Sequence, residues 1–209
     1  RDAARSRICA AMNLDLSGRW IVAMNAANMS TPSRKNFSAA FQGFAQYREQ
    51  HPEAFLFVHS ERTGVQGGED LMGLAELCGL DDTCLAFSPQ YQYLSGEIGT
   101  DFLRALYCAA DLYLCTSMGE GFCLPLIEAQ ACGCPVVAPE WTATGGLVLF
   151  KGLAAPCKMA VRTAVPGRTW QWVLGPGGVC RMLELGRGHA ELVGRNPPRE
   201  LHAFHSRAA

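Results

Sequence analysis

The sequence predicts an α/β fold built on a doubly wound parallel sheet, and three observations carry that prediction. Short apolar runs that read as buried strands recur between segments with helical spacing, the alternation of βα units. One stretch, Leu112 to Val137, reads without a break as strand, glycine loop, helix and strand. The helices also carry start and stop signals, with Pro125 in a first turn and Gly79 just past a last one.

Trp20–Met24 is the first strand, followed by the polar loop Asn25–Ser33. The next helix presents Phe37, Ala40, Phe41 and Phe44 on one face. Arg34 and Lys35 stand at its start, where two cations oppose the helix dipole unless an anion is bound. Phe55–His59 is the second strand, Glu69–Cys78 a helix stopped by Gly79, and Cys84–Phe87 the third strand. Asp101–Ala110 is a helix with Phe102, Leu103, Leu106, Tyr107 and Ala110 toward the core. Leu112–Cys115 and Cys134–Ala138 are the fourth and fifth strands.

The stretch after the fourth strand carries the chemistry. Pro125 fits the opening of a helix because its fixed φ suits the first turn and its missing N–H is not needed there. The free N–H groups and positive dipole end of that helix then face whatever lies beside Gly121 to Leu124, a place that suits a phosphate. Glu120 lies between two glycines that allow close backbone approach, and Glu128 ends the first helical turn. Carboxylates accept hydrogen bonds from hydroxyls, so two of them beside a phosphate site suggest a phosphorylated sugar or a nucleotide sugar. Acidic residues early in a helix also serve the dipole with no ligand present, so the spacing of the two glutamates does not define a site by itself. Asn25, Phe87, Thr116 and Ser117 fall at the carboxyl ends of strands, where open α/β sheets bind ligands. No strand leads into a Gly-x-Gly-x-x-Gly or Walker loop, which removes the main support for dinucleotide and ATP binding.

The run Gly119 to Val137 resembles the signature of retaining glycosyltransferases of family 4, in which a glutamate, seven residues and a second glutamate follow one another. The resemblance extends from about Trp20 to Gly146 and implies a Rossmann-like domain, the C-terminal, donor-binding half of a GT-B fold. It gives Glu120 the donor-sugar hydroxyls and Glu128 the ribose of the nucleotide. It lays Gly121, Phe122, Cys123 and Leu124 along the sugar and diphosphate. Lys35, followed by the small Asn36, matches the lysine that holds the diphosphate, and Arg34 stands in for an arginine that the family carries where this chain has Asn25. Glu120 and Lys35 are thereby the catalytic pair. The family has glycine at the position of Cys123, where a side chain crowds the donor. Tyr91 and Tyr93 follow the third strand in a loop that by the resemblance borders the base and that reads equally well as a surface turn. The donor implied is a UDP- or GDP-linked sugar, with no metal and no further cofactor. The acceptor, whether glycan, lipid or protein, is held mainly by an N-terminal domain with which this chain is expected to work. The alternative is a non-catalytic Rossmann-like module, derived from a glycosyltransferase, that binds a partner through its surface or its basic end.

Other features read as structural. His59 is a core or rim histidine, and Cys132 and Cys134 lack the repeated CxxC spacing of zinc or redox sites. Ten cysteines without framework spacing fit a reducing, cytoplasmic compartment. No apolar run nears the length of a membrane span, so any membrane contact is expected to be peripheral. The sequence divides into a donor-binding domain over residues 1–146 and an irregular extension over 147–209, the latter also readable as the incomplete end of the same domain. The net charge is +6 in the extension against −7 before it, an asymmetry that marks either a nucleic-acid or acidic-surface contact or an irregular tail. Glycine and proline punctuate this segment at Pro166-Gly167, Gly175-Pro176-Gly177-Gly178 and Pro197-Pro198, which favours the tail and no nucleic-acid partner. Only Trp170 to Leu185 faintly continues the domain.

Overall fold

A computed structural model of the chain describes residues 1–149, 152–155, 160–162 and 170–193. Six strands, β1 (Trp20–Asn25), β2 (Ala54–His59), β3 (Leu85–Phe87), β4 (Leu112–Leu114), β5 (Val136–Pro139) and β6 (Gly152–Ala155), form one sheet in the order β3-β2-β1-β4-β5-β6. Every pairing in it is parallel, from Trp20 opposite Ala54 to Pro139 opposite Ala155. A separate antiparallel pair joins β7 (Ala160–Arg162) to β8 (Trp170–Trp172). The helices are α1 (Asp2–Met12), α2 (Phe37–Arg48), α3 (Leu71–Leu77), α4 (Gln90–Ser95), α5 (Thr100–Ala109), α6 (Leu124–Ala131), α7 (Ala143–Leu147) and α8 (Pro176–Val193).

Strand alternation divides the core into two layers. Val22, Met24, Leu56, Val58, Leu112 and Leu114 pack on one face with Phe37, Phe41 and Phe44 of α2, Leu71 of α3 and Val179 and Met182 of α8. Ile21, Ala23, Phe57, Tyr113 and Val136 pack on the other with Ile8 of α1, Leu106 of α5 and Leu126 of α6. This is the doubly wound, Rossmann-like sheet that the sequence predicts. Local signals explain the helix ends: the Asp70 carboxylate accepts from the N–H groups of Met72 and Gly73 at 3.1 Å and starts α3.

Three differences from the sequence reading have physical causes. Tyr91 and Tyr93 belong to the short helix α4 rather than to a loop, and Gly96 ends that helix at φ 75°. Pairing adds β6 as a sixth strand beside β5. The faint trace from Trp170 is the strand β8 followed by the 18-residue α8. Val179, Met182, Leu183 and Gly186 of α8 are buried at i, i+3, i+4 and i+7, a complete helical stripe. Its last member is a glycine, which hides the stripe from any hydrophobic pattern. A side chain could not replace it, because a Cβ on Gly186 would lie 2.8 Å from Leu112 Cδ2. Basic and acidic residues counted with the extension also pin α8: Arg187 donates to Glu53 at 2.6 Å and lies 4.9 Å over the Trp20 ring, and His51 pairs with Glu184 at 2.8 Å.

Candidate active site

The strand order reverses between β1 and β4, so their carboxyl ends part and leave a crevice, the position where sheets of this kind bind ligands. A cavity of about 250 Å³ opens there. Its walls are Asn25 and Ala26 after β1, Cys115 to Ser117 after β4, Lys35, and Glu120 and Phe122 to Pro125 at the start of α6.

Side-chain and backbone hydrogen bonds tie the loops around this crevice together. Thr116 Oγ1 donates to the Lys35 carbonyl at 2.7 Å, and the Met118 N–H donates to the Arg34 carbonyl at 2.8 Å. The Glu120 N–H donates to Thr142 Oγ1 at 3.0 Å. The side chain of Glu120 is thereby directed between two cations: Lys35 Nζ donates to Oε1, and Arg34 Nη1 donates to Oε2 at 2.8 Å and to the Gly119 carbonyl at 2.7 Å. Lys35 and Glu120 are 16% and 7% exposed and Arg34 is 50% exposed, so the first pair forms the inner contact and Arg34 caps it from the rim. Burial disfavours ionisation of Glu120, but hydrogen bonds from Lys35, Arg34 and Ser117 outweigh it and hold the carboxyl below its ordinary value. The group at the mouth of the cavity is a fixed carboxylate.

The helix start takes the form the sequence predicts, with Leu124 and Pro125 opening α6. Its N-cap is Cys123, at φ 62° and ψ 60°, and it supplies no side-chain cap. The positive end of α6 is therefore not neutralised by its own N-cap side chain. Glu128 lies one turn further along and is exposed. Tyr107 Oη donates to Glu128 Oε2 at 2.9 Å and accepts from Asn25 Nδ2 at 2.7 Å, while Tyr113 Oη donates to the Asn25 carbonyl at 3.1 Å. Burial pushes the Tyr107 phenol far above its ordinary range, so it remains the donor toward Glu128.

The structure brings Lys35, Glu120, Phe122, Cys123 and Leu124 onto the cavity wall. Arg34 meets them through Glu120, and Gly121 is exposed beside them. Glu128 is not on that wall and connects to it through Tyr107 and Asn25. Tyr107 reads as core from sequence, and no local signal gives it or Thr142 a role. Tyr107 lies on the buried stripe of α5, and only the sheet geometry reveals that its hydroxyl reaches the carboxyl end of β1. His59 ends β2 at its rim, 2.7 Å from Ser88 Oγ and edge-on to Tyr93, and burial pushes its pKa down to about 4. Among the described residues no group of three or more histidines, cysteines or carboxylates is placed to hold a metal ion, and no helix is long and apolar enough to cross a membrane.

Known proteins share this arrangement of strands. The C-terminal domain of a glycosyl transferase group 1 family protein (LpcC) from Francisella tularensis superposes with a TM-score of 0.63 at 15% identity, covering 96% of this chain and 91% of that one. HepE from Anabaena, in complex with UDP-glucose, superposes with a TM-score of 0.62 at 16% identity over 99% of this chain and 53% of its own. At those identities the likeness shows the fold. A D-inositol 3-phosphate glycosyltransferase of Salinispora tropica is 33% identical over 148 residues, which is 70% of this chain and 29% of that protein. The corresponding protein of Mycobacterium tuberculosis (strain F11) is 44% identical over 102 residues, 46% of this chain and 20% of its own. The chain thus spans less than a third of the length of these relatives. The family model of the glycosyl transferases group 1 matches residues 22–151, a stretch that takes in the crevice, both carboxylates and strands β2 to β5 with most of β1, and the chain belongs to that family.

Proposed function

We propose that this chain is the donor-binding domain of a retaining glycosyltransferase of family 4 and binds a nucleoside diphosphate sugar in the crevice between β1 and β4. The observation that carries this reading is the Glu120 carboxylate, fixed by Lys35 and Arg34 at the mouth of a cavity that also receives the start of α6. A carboxylate accepts from sugar hydroxyls, and the cations and helix start complement a diphosphate. In this reading Glu120 orients the donor sugar. Lys35, with Arg34 at the rim, and the backbone from Gly121 to Leu124 stabilise charge on the departing diphosphate, an electrostatic contribution that grows as the bond breaks. Glu128 holds the ribose. HepE, which shares the fold, is a UDP-glucose complex, which makes a UDP-linked sugar the first donor to test and a GDP-linked sugar the second. The acceptor is held mainly by an N-terminal, Rossmann-like domain, and transfer retains the anomeric configuration.

Calorimetric titration with UDP-glucose and GDP-mannose tests the reading. One of them binds, and Glu128→Ala or Lys35→Ala weakens it at least about tenfold, equivalent to about 1.4 kcal/mol. Absence of binding by every nucleotide sugar overturns it. The non-catalytic alternative instead expects partner binding that survives loss of both Glu120 and Glu128, and no transfer when an acceptor domain is added.

A further inference from the structure

The cavity wall contains two thiols that the proposed donor chemistry does not use. Cys115 continues β4, its N–H donating to the Val137 carbonyl at 2.9 Å, and its side chain belongs to the layer covered by α5 and α6. Cys123, the N-cap of α6, packs in the same layer. Their sulfurs lie 3.9 Å apart, and both residues line the cavity while being almost buried, at 5% and 9% exposure. An opening of about 250 Å³ admits a small oxidant to this pair.

We infer that Cys115 and Cys123 form a thiol–disulfide modification site in the cavity wall, and that its oxidation by a peroxide reversibly disables the site above it. The second half rests on reading that cavity as the donor site. The hydrogen bond from Cys115 holds the Cys123 thiol below its ordinary value against the opposing effect of burial, while that bond and burial together push Cys115 up. Cys123 is therefore the attacking group. Its sulfur attacks one oxygen of hydrogen peroxide, the O–O bond breaks, and the departing hydroxide leaves as water with the thiol proton. Cys115 then attacks the sulfenic sulfur, the S–O bond breaks, and a second water leaves with the Cys115 proton. The two thiols lose two electrons and two protons, and the peroxide is reduced to two waters.

A disulfide places its sulfurs about 2 Å apart, so the present separation must shrink by roughly half. Cys115 is held in the sheet, and the displacement falls on Cys123. That residue begins α6, and the loop between the two cysteines carries Glu120. Oxidation therefore moves the helix start and the carboxylate relative to each other.

Brief treatment of the full chain with hydrogen peroxide, followed by intact mass, peptide mapping and calorimetric titration with UDP-glucose, tests the inference. The expected product is lighter by two hydrogens, maps to a Cys115–Cys123 cross-link, binds UDP-glucose about tenfold or more weakly, and recovers with dithiothreitol. Cys115→Ala and Cys115→Ser give no cross-link, and their Cys123 sulfenic acid is trapped by dimedone. Unchanged mass, a cross-link mapping elsewhere, or a correct cross-link with unchanged affinity overturns the inference. If reduced protein binds neither UDP-glucose nor GDP-mannose, the donor reading and the disabling effect both fall, and the mapping still decides whether the thiol pair reacts; if only GDP-mannose binds, the affinity comparison is made with it.

Discussion

Cys123 holds a left-handed backbone at the start of α6. A left-handed conformation costs a non-glycine residue about 1–2 kcal/mol, which gives the glycine expected here from the family resemblance a conformational reason besides the crowding. Burial of the thiol against Cys115 offsets part of that cost. In Cys123→Gly the strain is relieved and the buried side chain is lost, two effects of similar size, so urea denaturation is expected to move by less than about 1 kcal/mol. The cavity wall meanwhile recedes, and UDP-glucose binding is expected to tighten; unchanged or weaker binding by calorimetry would remove crowding from the account of this residue. His59 gives a second prediction at this scale. Its folded value of about 4 lies below the ordinary 6.5 of a free imidazole, so protonation favours the unfolded chain. Its contribution, at most about 3 kcal/mol, is complete above pH 6.5 and is lost as pH falls toward 4. Proton NMR of the imidazole is expected to show a midpoint near pH 4; a midpoint near 6.5 sinks the argument.

At the scale of elements, legibility followed side-chain size. The α2 stripe was visible because Phe37, Phe41 and Phe44 are large and correctly spaced. The α8 stripe was invisible because Gly186 takes one of its positions and glycines interrupt the helix elsewhere. The same division holds at the site. Lys35, Glu120 and the opening of α6 were readable from local signals, whereas the link from Asn25 through Tyr107 to Glu128 joins β1, α5 and α6 and exists only after the sheet has formed. The α2–α8 interface yields a direct test. A Cβ added at Gly43 would lie 2.6 Å from both the Pro176 carbonyl oxygen and Val179 Cβ, so one helix must move. Gly43→Ala is expected to destabilise by about 2 kcal/mol in urea despite the higher helix propensity of alanine, and to make α8 the first protease-sensitive helix. A stabilised variant would show that this contact yields without cost.

For the molecule as a whole, the important fact is that the cavity is not a local feature. Asn25 and Lys35 come about 80 to 100 residues before Thr116 and Leu124 and meet them only because β1 and β4 pair in the middle of the sheet. An unfolded chain cannot reproduce that constellation, so any donor bound there must stabilise the fold by mass action. At a free concentration of one hundred times Kd the gain is about 2.7 kcal/mol, which for a chain of this size raises Tm by about 5–10 °C. The effect is expected to reach amides of the central strands that exchange only through global unfolding, including Val22 and Tyr113, and not merely the loop around Glu120. Hydrogen exchange with saturating UDP-glucose distinguishes the two patterns. Slowing by about a hundredfold in both β1 and β4 supports a site assembled by the fold. Protection confined to residues 118–124 would mean that the ligand grips the loop alone, and the crevice would lose its claim to be the donor site.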